Sequence, residues 1–343
     1  MYLAALKKEW LRVHPLLSPY DIISIYFGGG TPSLLGAQRI HEILSWIYKD
    51  LSVDSQCEIT LEANPENVTL DKMKAFAKAG VNRVSLGLQS LDEHLLQILG
   101  RSHTASKSVQ AVIDTYDAGI GNISVDLMFE LPHQNMNHWK STLSKVASLP
   151  ITHLSLYNLT FERGTIFGKK EKELAPHVVD PSIGREMFEE AEAKLKEAGL
   201  LRYEISAFAT AGYESVHNTG YWTARPFLGL GPSAFSFWEG KRFQNVCNLH
   251  QYCQYLQQDL SPVTFKEKLP YPENIQELLA VEIRLVRGVH LEEFEARHGT
   301  LTHKIKASLH LLETKGWIQR EGSTVKLSQE GLFFYDSIAE ELI

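Results

Sequence analysis

Short runs of apolar and β-branched residues recur along the first two-thirds of the chain. They predict strands at 22–28 (IISIYFG), 57–63 (CEITLEA), 81–88 (VNRVSLGL), 122–129 (NISVDLMF), 152–158 (THLSLYN) and 202–207 (RYEISA). Between them, apolar residues return every three or four positions, which predicts helices at 36–51, 69–79, 91–99, 104–118, 137–148 and 182–198. Ser90-Leu91-Asp92-Glu93 reads as a capping box opening the third helix. Gly80, Gly119 and Gly199 each follow a helical pattern, where a left-handed cap belongs. The first residues, MYLAALKKEW, read as an amphipathic helix. Strand–helix–strand units repeated in this way imply parallel strands joined by right-handed crossovers. The expected fold class is therefore α/β, with a mostly parallel, partial (β/α) barrel over residues 1–210.

The pattern then changes. Residues 211–247 are rich in aromatics and glycines and show little periodicity. From 248 to 343 the chain reads as mainly helical, with helices at 248–258, 273–286, 291–297 and 301–314. A hairpin turning at Glu321-Gly322-Ser323 and a short last helix complete it, the order of a winged-helix module.

Composition narrows the partners. Of 343 residues 44% are hydrophobic and 22% charged, enough for a large core, and the formal net charge is -7. That balance disfavours non-specific binding to nucleic acid or an anionic membrane. Lys304, Lys306 and Lys315 read as a solvated helix face, so no nucleic-acid partner is expected. No apolar run approaches a spanning helix, and Lys7, Lys8 and Glu9 interrupt the first residues, which do not read as a signal peptide. Three scattered cysteines, Cys57, Cys247 and Cys253, do not make a disulfide framework, and the cytoplasm is the expected location.

The candidate chemistry lies where strands end, the working face of a parallel α/β barrel. The first strand delivers Gly28, Gly29, Gly30 and Thr31, the second Glu62, and the third Gln89 with Arg101 a helix later. The fourth contains Asp126, and the fifth ends in Tyr157 and Asn158. Taken singly, each has a plain reading: an acid caps a helix, and Arg101 neutralises a helix C-terminus. Taken together they suit an amino-acid ligand that also carries a ribose. An acid or carbonyls receive the ammonium, a guanidinium receives the carboxylate, and a second acid receives the hydroxyls.

IYFGGGTPSLL, LEANPENVT, VNRVSLGLQSLDEHLLQILGRSHT and SVDLMFELPHQ resemble the radical S-adenosylmethionine family of oxygen-independent coproporphyrinogen oxidase-like proteins. HLSLYNLTFERGTIF and the helical C-terminus extend the resemblance over nearly the whole chain. It implies a cofactor site for S-adenosylmethionine lined by Gly28, Gly29, Gly30, Thr31, Glu62, Gln89, Arg101, Asp126 and Asn158. The stretch HNTGYW (217–222) resembles the His-Asn-x-x-Tyr-Trp signature of the HemW-type heme chaperone branch. By that resemblance His217, Asn218, Tyr221 and Trp222 would contact heme, a neutral imidazole being able to ligate iron and aromatic rings to face the macrocycle. The implied function is to bind heme and S-adenosylmethionine and pass heme to a respiratory acceptor protein. The alternative is radical decarboxylation of coproporphyrinogen III in porphyrin biosynthesis.

Two departures qualify the resemblance. The family's Cys-x3-Cys-x2-Cys motif and the first barrel strand are missing, so no residue here is assigned to a 4Fe-4S cluster by that pattern. Either the complete protein extends upstream, or the cluster has been lost and a cluster-independent role kept. In both cases the strand 22–27 is expected at a sheet edge, making this chain less stable and more prone to association than an extended one. The second departure is Phe235, where relatives commonly carry histidine.

Overall fold

The alternation of strands and helices reappears in a computed structural model that describes residues 1–343, the side chain of Ile166 apart. The chain divides into two units, one of residues 23–47 and 55–217, the other of residues 1–22, 48–54 and 218–343.

The first unit is built on a seven-stranded sheet curled into a half-barrel, with strand order β1-β2-β3-β4-β5-β7-β6. These strands are β1 (Ile22–Phe27), β2 (Val53–Ala63), β3 (Arg83–Gln89), β4 (Asn122–Phe129), β5 (His153–Asn158), β6 (Leu201–Glu204) and β7 (Ala207–Ala209). The pairs β2–β3, β3–β4 and β4–β5 are parallel, as the crossover pattern requires. The predicted strand 202–207 is instead two short strands, and β7 turns back to pair antiparallel with β5. β1 lies at one end of the strand order.

Period-two alternation gives the sheet two chemically opposite faces. One carries Ile59, Leu61, Val84, Leu86, Leu88, Ile123, Val125, Leu127, Leu154 and Leu156, all buried. The crossover helices bring their own apolar stripes: Met73 and Phe76 from Leu70–Ala79, Ala111 and Val112 from Ala105–Asp117, Trp139 and Leu143 from Met136–Ala147. Each such aliphatic side chain contributes about 1.5–3 kcal/mol by leaving water. Truncating fully buried Leu86 to alanine would cost about 2–5 kcal/mol. The opposite face is polar. Register places Thr60 beside Arg83, Glu62 beside Ser85, Ser85 beside Ser124, and Asp126 beside Ser155.

Helix boundaries follow the local chemistry with one change. Gly80, Gly119 and Gly199 adopt positive φ just past their helices. At the third helix Asp92, not Ser90, is the N-cap: its carboxylate accepts the Leu95 amide, while Ser90 Oγ accepts the Asp92 amide.

The second unit contains the N-terminal helix Tyr2–Leu17, fastened by one buried carboxylate. Glu9 accepts hydrogen bonds from the Gly231 amide, Asn245 Nδ2 and the Tyr252 hydroxyl. The segment expected to be aperiodic holds the helix Val216–Trp222 across its unit boundary. It also holds β8 (Phe235–Trp238) and β9 (Lys241–Asn245), which pair antiparallel with β10 (Val263–Glu267). The β8–β9 turn is Glu239-Gly240, both at positive φ, the geometry of a tight two-residue hairpin. Beyond it lie helices Glu273–Glu282, Leu291–His298 and His303–Thr314. The hairpin β12 (Ile318–Glu321) to β13 (Thr324–Leu327) follows, joined by β11 (Val289–His290) in the order β11-β13-β12. That is the winged-helix arrangement expected. Among the described residues no helix is long and apolar enough to cross a membrane.

Candidate functional site

The glycine ridge after β1 owes its composition to two different constraints. A Cβ on Gly28 would stand 2.5 Å from Tyr26 Cε1 and 3.0 Å from Glu62 Oε1, so close approach excludes a side chain there. Gly29 and Gly30 have open space around them but φ values of 79° and 76°, which L-residues rarely adopt. The outcome is a bare, exposed stretch of backbone beside a carboxylate.

That carboxylate is held from two sides. Tyr26 Oη donates to Glu62 Oε1 at 2.8 Å, and the Gly29 amide donates to Oε2 at 3.0 Å. Burial and the neighbouring Glu62 push the Tyr26 hydroxyl well above its ordinary value, so it remains a donor. Asn64 Nδ2 reaches Thr31 Oγ1 at 3.3 Å. Gln89 sits in the left-handed region at φ 64°, and its amide folds back over Gly87, where a Cβ would be 3.1 Å from Nε2.

Asp126 projects from the same face and is pushed up to about 6. Burial is the main cause and the Glu62 charge adds to it; the Ser155 hydrogen bond, Arg83 and Arg101 pull the other way. The guanidinium of Arg101, half-buried, makes no hydrogen bond or ion pair among the described residues, although its charge is felt at Asp126. A half-buried guanidinium without a protein partner, within electrostatic reach of the Asp126 carboxylate, is free to meet an anionic group. Burial and Asp126 push Tyr157 up to about 12. Asn158 hydrogen-bonds Glu130, a residue at the end of β4 with φ 57°. The half-barrel thus brings Gly28–Thr31, Glu62, Gln89 and Asp126 to one polar face, with Arg101 within electrostatic reach of Asp126. Asn158 stands at the end of the same sheet, engaged with Glu130.

Beneath the rim lies a buried polar layer that strand-end reasoning missed. Arg83 pairs with Glu58 at 3.7 Å and reaches Thr60 Oγ1 at 3.5 Å. Glu58 in turn accepts the Val216 and His217 amides, each at 2.9 Å. His153 lies between Ser124 Oγ (2.8 Å) and Tyr203 Oη (2.9 Å). Burial and Arg83 hold its imidazole neutral. The sequence signal was available: Glu58, Thr60 and Glu62 alternate with Ile59 and Leu61, and Arg83 and Ser85 with Val84 and Leu86.

The stretch 217–222 is distributed over both units. His217 belongs to the sheet unit, with its ring stacked on Tyr26. Asn218, Tyr221 and Trp222 belong to the other. There Tyr221 is partly exposed and meets Phe227 edge-on at 4.6 Å, while the Arg284 guanidinium lies 4.3 Å over Trp222. Phe235 is exposed on β8. The cysteines are not gathered. Cys57 is buried in β2; Cys253 belongs to a core cluster of the other unit with Tyr252 and Leu256; Cys247 is exposed. Their positions do not fit a cluster-binding triad.

Comparison with known proteins agrees with this architecture. Residues 8–146 match the Radical SAM superfamily and residues 269–334 the HemN C-terminal domain. The heme chaperone HemW of Bacillus subtilis is 31% identical over 332 residues, covering 96% of this chain and 88% of the relative. The mitochondrial radical S-adenosyl methionine domain-containing protein 1 of Mus musculus is 35% identical over 338 residues, covering 93% and 75%. Among solved structures, coproporphyrinogen III oxidase (HemN) from Escherichia coli superposes with a TM-score of 0.86. It covers 99% of this chain and 82% of that one, and at 21% identity the likeness concerns the fold. The polar-faced half-barrel, the HemN-type C-terminal region and these near full-length relatives place the chain in the HemW-like family of radical S-adenosylmethionine proteins.

Proposed function

We propose that this protein is a heme chaperone that binds S-adenosylmethionine on the polar face of the half-barrel and delivers heme to an acceptor protein, a respiratory one. The single observation that carries the reading is Arg101, a half-buried guanidinium without a protein partner, whose charge is felt at Asp126 and which lies in the same unit as Glu62 and the bare Gly29–Gly30 backbone. In this reading Glu62 receives the ligand ammonium, Arg101 its carboxylate and Asp126 its ribose hydroxyls. Gly28, Gly29, Gly30 and Thr31 form the surface on which the methionine end rests, and Gln89 and Asn158 complete the polar lining. Adenosylmethionine supplies a sulfonium-activated nucleoside when bound. The chain's own residues bind and orient it, and the three cysteines carry no redox step.

His217, Asn218, Tyr221 and Trp222 are the residues proposed to contact heme, by the resemblance of HNTGYW to the HemW-type signature. Titrating hemin into the full chain and following the Soret band tests this, with Tyr221→Ala as a control whose ring is already partly exposed. A saturable shift, weakened in the variant, is expected. A shift no different from that of free hemin with an unrelated protein would overturn it. Adenosylmethionine binding is read separately by calorimetry.

A further inference from the structure

We infer that His217 is a positioning residue for Glu62, acting through the ring of Tyr26. This deepens the proposed function and rests on it only for the identity of the ligand that Glu62 receives. The His217 imidazole lies on the Tyr26 ring, centroids 4.6 Å apart and planes inclined by 20°. It is fixed independently of that stack at two points. Its Nδ1 is 3.2 Å from Ser24 Oγ, and its backbone amide donates to Glu58 Oε1 at 2.9 Å. Glu58 is itself anchored: 5% exposed, paired with Arg83, and accepting the Val216 amide as well. The histidine is thus a rigid wall supported by the buried polar layer.

On another side the Tyr26 ring meets Gly28, whose missing Cβ leaves the space the ring occupies. Bounded by Gly28 and His217, the ring has one position, and that position puts its hydroxyl 2.8 Å from Glu62 Oε1. The second carboxylate oxygen is then presented to the Gly29 amide at 3.0 Å. A continuous series of contacts therefore runs from the buried Glu58–Arg83 pair through His217 and Tyr26 to Glu62 and the glycine ridge. A residue of a stretch assigned to heme sets the rotamer of a residue assigned to adenosylmethionine. Stacked rings of this kind hold an orientation worth a few-fold to about tenfold in an equilibrium constant.

Five forms of the full chain test this: wild type, His217→Ala, His217→Phe, Tyr26→Phe and the double variant His217→Ala with Tyr26→Phe. Two readouts are taken on each, hydrogen exchange and the chemical shift of the Gly29 amide by NMR, and the dissociation constant of S-adenosylmethionine by calorimetry. His217→Ala is expected to expose the Gly29 amide to exchange and to weaken adenosylmethionine roughly three- to tenfold. His217→Phe keeps a flat ring on Tyr26 but has no iron ligand, and is expected to return both readouts close to wild type. Tyr26→Phe should reproduce His217→Ala, and combining the two should add nothing further. A Gly29 amide that is indifferent to His217→Ala, or a phenylalanine variant no better than the alanine one, overturns the inference. If wild type binds no adenosylmethionine while the Gly29 amide still responds to His217→Ala and recovers in His217→Phe, the proposed function fails and the positioning role stands.

Discussion

Two carboxylate–tyrosine pairs, one in each unit, have opposite surroundings. Glu9, 4% exposed, is surrounded by donors from Gly231, Asn245 and Tyr252. Glu62 receives Tyr26 and Gly29, yet it is half-buried, felt electrostatically by Asp126, and belongs to the unit that carries the unpartnered Arg101. Burial raises the Glu9 carboxyl above the usual range, and its hydrogen bonds only partly offset that. A sealed, donor-saturated acid ties a helix to a loop; an acid on an open polar face keeps room for a group that is not part of the chain. In the proposed function the same two residue types thus serve fold in one unit and ligand binding in the other.

The comparison is broken most severely by removing one member of a buried pair. Arg83→Ala leaves Glu58 buried without its counter-charge and is expected to cost about 3–5 kcal/mol in urea unfolding. Glu9→Ala strands three donors and is expected to cost about 2–4 kcal/mol in the same measurement. Glu62→Gln, by contrast, should change stability by no more than about 1 kcal/mol while weakening adenosylmethionine about tenfold or more in calorimetry. Equal stability losses at Glu9 and Glu62 would erase the distinction drawn between them.

A smaller effect comes from pH. Folded Asp126 holds its proton up to about 6, against an ordinary value of 3.8, so the folded chain binds more protons than the unfolded one between those values. Its contribution to stability is greatest below that window and falls as pH rises through it. Ligand binding has the opposite sign, because only the ionised carboxylate accepts two hydroxyl protons. Adenosylmethionine affinity should therefore rise severalfold from pH 5 to pH 7 and then level off. Asp126→Asn should flatten the profile, and a profile that survives unchanged in that variant would assign the titration elsewhere.

Much of this arrangement was legible along the chain. The alternation Ile123-Ser124-Val125-Asp126-Leu127 by itself implies a sheet with one apolar and one polar face, and strand ends identified Glu62, Gln89 and Asp126. The buried layer was not read, because Glu58 and Arg83 lie mid-strand and their pairing depends on strand register, which local sequence does not express. The signature around His217 reads as a heme-contact stretch; that its ring stacks on Tyr26 is a contact between distant parts of the chain, which local sequence does not express. The β8–β9 hairpin was missed although Glu239-Gly240 between FSFW and KRF is a short-range turn signal, obscured by the density of aromatics around it. Asp92 displaced Ser90 as cap because Ser90 directs its hydroxyl to the Asp92 amide instead.

The claim that the polar face of the half-barrel is a binding site for an amino-acid nucleoside is tested most directly at Arg101. S-adenosylmethionine is titrated calorimetrically into the wild-type chain and into Arg101→Ala at pH 7, with urea unfolding of both as the control. Saturable one-to-one binding to wild type, weakened about thirtyfold or more in the variant with stability within about 0.5 kcal/mol, is the predicted result. Wild-type binding that survives the loss of Arg101 undiminished, or no binding to wild type at all, would contradict it.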